Sequence, residues 1–260
     1  MEIKPFNKDI SGFKNEDEFM RYLNGRRVCD LSLLFDDLFF YLFGEVNPDS
    51  VISCRINFNK QKSDIFVKIG GTEKGISIKK GIKNSVHIEK LDRFISFLRS
   101  IGFGDPVIQE VCLFHYGDGT IDGSGSKRVS SLEYKDIHQD KLDMINFYFN
   151  QDDVIREAAR RFVLLGNNSK DEIDALIYGT VDDFIWITPS EITEAIMHNR
   201  DIERTGLGFG SLFYQPLNRC LNYNSKYESC RDYIQIKWYH LSDDIIWAMN
   251  ERFKRKHGLG

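Results

Sequence analysis

The chain has 260 residues, 42% of them hydrophobic and 28% charged, with a formal net charge of −4. That composition suits one large folded domain or two small ones, and it excludes a disordered chain and a globally basic nucleic-acid coat. The five cysteines form no CxxC pair and no zinc spacing, no 18-residue apolar run occurs, and MEIKPFNKDI lacks a signal-peptide core, so free thiols and a cytoplasmic protein are expected.

In chain order, residues 15–43 predict one or two helices, with Asn15 placed to cap the first. VISCRINF (51–58), KSDIFVKI (62–69) and GISIKK (75–80) predict three strands, the last two joined by a Gly70-Gly71 turn, in an antiparallel meander. From Val86 the apolar residues Ile88, Leu91, Ile95 and Leu98 recur at helical spacing, and Gly102 stops that helix. VIQEVCLFHY (107–116) predicts a further strand. GDGTIDGSGSKR (117–128) lacks GxxxxGK[ST] spacing and predicts a flexible loop or substrate flap. Helix follows over 137–165. Two strands and a helix opening near Pro189 follow over 173–197, then a glycine-rich turn at 205–213, the alternating strand RDYIQIKWYHL (231–241) and a terminal helix at 243–255.

Pairing through the Gly-Gly turn brings Asp64 near Ser77 and Lys79, which stand on the strand face opposite Ile76 and Ile78. Glu89, expected on the first turn of the next helix, leans over the same end. Carboxylates hold Mg²⁺ through oxygen ligands, and a lysine can orient water or stabilise charge on phosphorus. His87 and Asn84 flank this cluster as second-tier candidates. Each of these residues alone also suits a solvated strand face or a turn.

The order helix, three strands with Asp on the second and x-Lys on the third, then helix and strand, resembles the PD-(D/E)XK nuclease superfamily, whose familiar members are type II restriction endonucleases. Asp64 matches the family's aspartate, preceded by Ser63 instead of proline, and Ser77-Ile78-Lys79 matches the (D/E)XK tripeptide with serine at the acidic position. Some restriction enzymes of this superfamily also have serine there and take the glutamate from the following helix, the place of Glu89. An acidic residue of the opening helix, Glu16 or Glu18, would be a further ligand; Glu18 is assigned.

The resemblance covers about residues 15–116. It implies an α/β fold with a restriction-endonuclease-like mixed sheet flanked by helices, and a C-terminal α+β lobe. Residues 1–116 would be the catalytic core, and 117–260 a lobe for target recognition and dimerisation. The implied activity is Mg²⁺-dependent hydrolysis of double-stranded DNA by a homodimer, with Asp64, Glu89 and Glu18 on the metal, Lys79 on the attacking water and Ser77 lining the site. The alternative is a non-catalytic binding protein that keeps the core.

The segment 215–231 and the strand after it concentrate polar residues suited to base edges and phosphates: Asn218, Arg219, Asn222, Lys226, Arg231, Gln235 and Lys237. Lys127, Arg128 and Arg204 are expected on the DNA backbone. Gln235-Ile236-Lys237 is also an accepted variant of the nuclease tripeptide, but no aspartate stands on a preceding strand at suitable spacing.

Overall fold

The computed structural model describes residues 12–59, 61–82, 84–167, 169–200, 203–217 and 229–258. In it, β1 (Ile52–Ile56), β2 (Ile65–Ile69) and β3 (Thr72–Lys79) form the predicted antiparallel meander. The sheet continues with β5 (Ala175–Thr180), parallel to β3, and β6 (Asp183–Ile187), antiparallel to β5. The order is β1-β2-β3-β5-β6, so the sheet is mixed. A second sheet has the order β4-β9-β8-β7, from β4 (Asn84–Lys90), β7 (Gly208–Phe209), β8 (Leu212–Pro216) and β9 (Tyr233–Trp238). The architecture is mixed α/β, with two sheets flanked by helices.

The chain forms two compact units, each discontinuous in sequence. The first comprises Met1–Asn84, Val163–Ala195 and His240–Gly260; the second comprises Ser85–Phe162 and Ile196–Tyr239. The second unit therefore runs without a break through residue 116, where the sequence suggested a boundary.

In the first unit, α1 (Gly12–Leu23) and α2 (Asp36–Phe43) supply Phe19, Leu23, Leu38 and Phe39 to a core with Ile52, Ile65, Val67, Ile76 and Ile177. Each such side chain contributes about 1.5–3 kcal/mol by leaving water. Gly75, Ile76, Ser77 and Ile78 are buried in succession, as expected of a central strand covered on both faces. Asn15 does not cap α1. The helix starts at Gly12, and Asn15 lies inside it, buried, with Nδ2 donating to the Gly179 carbonyl at 2.9 Å.

Two predicted elements change type. Residues 107–116 belong to a helix, α4 (Asp105–Tyr116), whose buried Ile108, Val111, Phe114 and His115 follow helical spacing. Pro106 sits in its first turn, and Gly117 closes it in the left-handed region at φ +61°. The β-branched residues there mimic a strand, but tertiary packing decides. The helix predicted from Val86 begins only at α3 (Leu91–Ser100), and residues 84–90 are strand β4. Ile88, the first residue of the supposed stripe, is 50% exposed on that strand.

The second unit also holds α5 (Ser131–Phe149) and α6 (Asp152–Ala159). Phe94, Phe114, Phe149, Phe162, Phe209 and Trp238 fill its core. The glycine-rich segment 117–128 is tied down rather than loose. Val129 N–H donates to the Gly117 carbonyl, and Arg231 Nη2 donates to Asp118 Oδ2 at 2.8 Å and to the Gly125 carbonyl at 2.7 Å. Gly123 is required: its φ is +73°, and a Cβ there would meet the Tyr116 ring at 2.5 Å. The final helix in the first unit is α8 (Leu241–His257), preceded in the chain by α7 (Pro189–His198). Among the described residues, no helix is long and apolar enough to cross a membrane.

Candidate functional site

Strand register builds the site. The β2–β3 ladder pairs Ile65 with Ile76, and Asp64 N–H extends it by donating to the Ile76 carbonyl at 2.8 Å. This holds Asp64 at the strand end beside Ser77. Its Oδ2 accepts from Ser77 Oγ at 2.9 Å, from the Ile78 backbone N–H at 2.6 Å and from Lys79 Nζ at 3.0 Å. Lys79 Nζ also donates to the Ile78 carbonyl at 3.0 Å. The Lys79 and Asp64 side chains are 17% and 20% exposed, and Ser77 is fully buried. Among the described residues, Asp64 Oδ1 accepts no hydrogen bond, so one carboxylate oxygen is fixed by the fold and the other is open.

Glu16 of α1 is electrostatically coupled to this cluster. Burial raises its affinity for a proton, the Asp64 charge raises it further, and Lys79 opposes both. Glu18 does not join it; it lies 4.0 Å from Lys14 along the helix and is 34% exposed. The signal was present in the helix period. Glu16, Phe19 and Leu23 share the i, i+3, i+7 stripe that faces the core, and Glu18 is off that stripe.

Lys62, two residues before Asp64, is a site group that sequence reasoning missed. Burial pushes its ammonium down to about 7, with the Lys79 charge acting the same way and Asp64 opposing. In the unfolded chain an ordinary lysine holds its proton to pH ~10.4. The unfolded state therefore binds more protons between about pH 7 and pH 10, and the penalty is fully present below that window. Lys62→Met is expected to stabilise the protein by up to about 5 kcal/mol at pH 6, with the gain shrinking as pH rises towards 10. Urea unfolding of both forms at pH 6 and pH 9 measures it; equal stabilities at pH 6 would remove the argument.

The structure does not put Glu89 on a helix. It stands on β4 in the second unit with its side chain fully buried, and its Oε2 accepts from Arg161 Nη2 at 2.5 Å. His87 Nε2 lies 3.5 Å from the same oxygen, and His87 packs on Phe162 with ring centroids 5.1 Å apart. Asn84 Nδ2 donates to the Gly81 carbonyl at 3.0 Å.

Asn218, Arg219, Asn222 and Lys226 lie outside the described residues. Arg231 is the staple of the 117–128 loop, so its guanidinium is already engaged. Arg204 donates to the carbonyls of Arg200 and Gly210, and Arg128 is buried over the Tyr116 ring; Lys127 is exposed. Gln235 and Lys237 stand on β9 opposite Gln215 and Phe213 of β8. Gln215 is a further residue the sequence did not single out.

Among the described residues, no cluster of three or more His, Cys, Asp or Glu side chains is arranged to hold a metal ion. The cluster therefore offers two carboxylates, Asp64 and Glu16, beside Lys79, Lys62 and Ser77. No protein-family profile matches the sequence. No curated protein matches it either. Among solved structures, the chain is similar to the restriction endonuclease MspI in complex with its cognate DNA, at 14% identity and a TM-score of 0.40, over 74% of this chain and 72% of that one.

Proposed function

We propose that this chain is a Mg²⁺-dependent endonuclease that hydrolyses phosphodiester bonds in double-stranded DNA, in the manner of a type II restriction enzyme. One observation carries the reading: Asp64, Ser77 and Lys79 meet on adjacent strands of a mixed sheet, with a second carboxylate, Glu16, electrostatically coupled to them. The donor set suits Mg²⁺, which takes oxygen ligands and is usually held by one or two carboxylates together with substrate phosphate. Asp64 Oδ1 and Glu16 would hold the ion, and this replaces the assignment of Glu18 and Glu89. When bound, Mg²⁺ would polarise the scissile phosphate and acidify a water.

The protein's own groups do the rest. Ser77 and the Ile78 N–H fix the Asp64 carboxylate in one rotamer, so its free oxygen is aimed in advance. Lys79 Nζ, held on Asp64 and the Ile78 carbonyl, orients the attacking water and offsets the negative charge that grows on phosphorus. Cutting both strands of a duplex calls for two such sites, so the proposal includes a homodimer.

A non-catalytic DNA-binding protein is the second reading. It is favoured by Ser77 at the acidic position of the tripeptide and by Glu89 being committed to Arg161.

Incubating plasmid and phage DNA with the purified protein separates the two. The nuclease reading expects discrete fragments in Mg²⁺ and none in EDTA. Folded protein that binds these DNAs and leaves them uncut at every Mg²⁺ concentration would establish the binder.

A further inference from the structure

The second unit carries a sheet face whose chemistry is unspent. On β9, Ile234, Ile236 and Trp238 are buried, and Tyr233, Gln235 and Lys237 alternate with them on the other face. On β8, Phe213 and Gln215 lie on that same face, paired in register with Lys237 and Gln235. These five side chains are all partly exposed, and none is acidic, although the chain as a whole is.

Their engagement distinguishes them from the arginines nearby. Arg231 and Arg204 are spent on backbone carbonyls and, for Arg231, a carboxylate. Neither the Gln215 nor the Gln235 amide makes a hydrogen bond among the described residues, and Gln215 Oε1 is withdrawn from water with no donor. The Lys237 ammonium has no carboxylate partner among them and lies 5.7 Å from the Tyr239 ring, which meets Phe213 edge-on at 4.9 Å.

We infer that this β8–β9 sheet face reads adenine in the DNA major groove, with Gln235 and Gln215 as the base-contacting residues and Lys237 on a neighbouring phosphate. The inference rests on the DNA-binding part of the proposed function. A glutamine amide presents a donor and an acceptor in one plane, matching adenine N7 and N6–H, and β8 and β9 are the central pair of the four-stranded sheet, whose strands can present such amides to base edges in the major groove. Side chains directly opposite on such an antiparallel strand pair, as Gln215 and Gln235 are, stand about 5 Å apart, close enough to address neighbouring base pairs. Swinging Gln215 outward gives its orphaned oxygen the donor it lacks. Among these five side chains Lys237 is the one charged group and none is a carboxylate, which suits a polyanion.

The test is selection of bound duplexes from a random-sequence library in EDTA, with the wild-type chain, Gln235→Ala, Gln215→Ala and Lys237→Ala. The wild type is expected to enrich a motif containing A·T pairs. Each glutamine variant should lose about fivefold or more of the preference for adenine at one position. Lys237→Ala should weaken all sequences alike and reduce the salt dependence by about one phosphate contact.

A second measurement guards against misfolding. Replacing the selected adenine by 7-deazaadenine, which lacks the N7 acceptor, should weaken the wild type and leave the matching glutamine variant unaffected. Unchanged base preference in both glutamine variants overturns the inference, as does a wild type that enriches no duplex motif or prefers RNA. Because cleavage plays no part in the selection, the two claims fail separately. A selected motif without cleavage sinks the nuclease, whereas cleavage with an unchanged motif in both variants sinks the adenine reading.

Discussion

Asp64→Asn is expected to lower Mg²⁺-dependent DNA cleavage by about 10³-fold while leaving the protein folded. The asparagine has the same shape, and its carbonyl oxygen still accepts from Ser77 Oγ and the Ile78 N–H, the two neutral donors on Oδ2. Two things are lost. The oxygen offered to Mg²⁺ becomes an amide, and Lys79 loses the charge that holds its ammonium at 3.0 Å. DNA binding in EDTA should persist or tighten, because a negative charge has left the site. Lys79→Ala should produce a comparable loss of cleavage with little loss of binding. Single-turnover cleavage, with thermal melts as the folding control, decides it. An Asp64→Asn variant that cleaves within tenfold of wild type would put the chemistry elsewhere on the molecule.

Arg161→Met should cost about 3–5 kcal/mol of stability, a larger effect than most single substitutions give. Glu89 is fully buried, and among the described residues its Oε2 lies 2.5 Å from Arg161 Nη2 and 3.5 Å from His87 Nε2. Without Arg161, a carboxylate remains in the interior with one oxygen that already lacks a partner among the described residues. The loss should come from the uncompensated charge and not from the pair's own worth. The double variant Glu89→Leu/Arg161→Met should therefore recover to within about 1 kcal/mol of wild type, as buried ion pairs replaced by apolar groups often do. Urea unfolding of the four proteins closes the cycle. A single variant that loses less than about 1 kcal/mol would contradict the account. The double variant also tests chemistry: if it stays folded and cuts DNA normally, Glu89 is structural, and if it stays folded and is inactive, Glu89 returns as a ligand.

The parts of the fold legible from the sequence are those set by short-range alternation. The alternation of Ile65, Val67 and Ile69 and the Gly70-Gly71 turn specify the β2–β3 pairing, in which Ile65 opposes Ile76, and that pairing by itself brings Asp64 to Ser77 and Lys79. What failed was decided by distant partners. Residues 107–116 have a strand-like composition, yet their apolar face meets a core built from residues up to a hundred positions away. Glu89 looked like the first turn of a helix because Ile88 extended a helical stripe by accident. Arg161, which claims the Glu89 carboxylate, lies 72 positions later with no local mark of its role. Gln235 could be suspected from alternation alone, whereas Gln215 needed the register of β8 on β9. The further strand expected at 107–116 is a helix, and the strand beside β3 in the first sheet is β5.

That late arrival of β5 has a consequence for the protein's birth on the ribosome. Ile76 of β3 waits for Ala175, its partner about a hundred residues downstream. At ~5–20 residues per second, the β1–β2–β3 meander would exist for roughly 5–20 s with one long side unpaired. During that interval β3 is an open edge flanked by a hydrophobic core, the kind of template on which nascent chains pair wrongly with one another. The half-made sheet already contains Asp64 and Lys79, so the residues of the candidate site are in register before the strand that seals their sheet has been synthesised. Translation speed between codons 80 and 175 should then govern how much of the protein is recovered soluble.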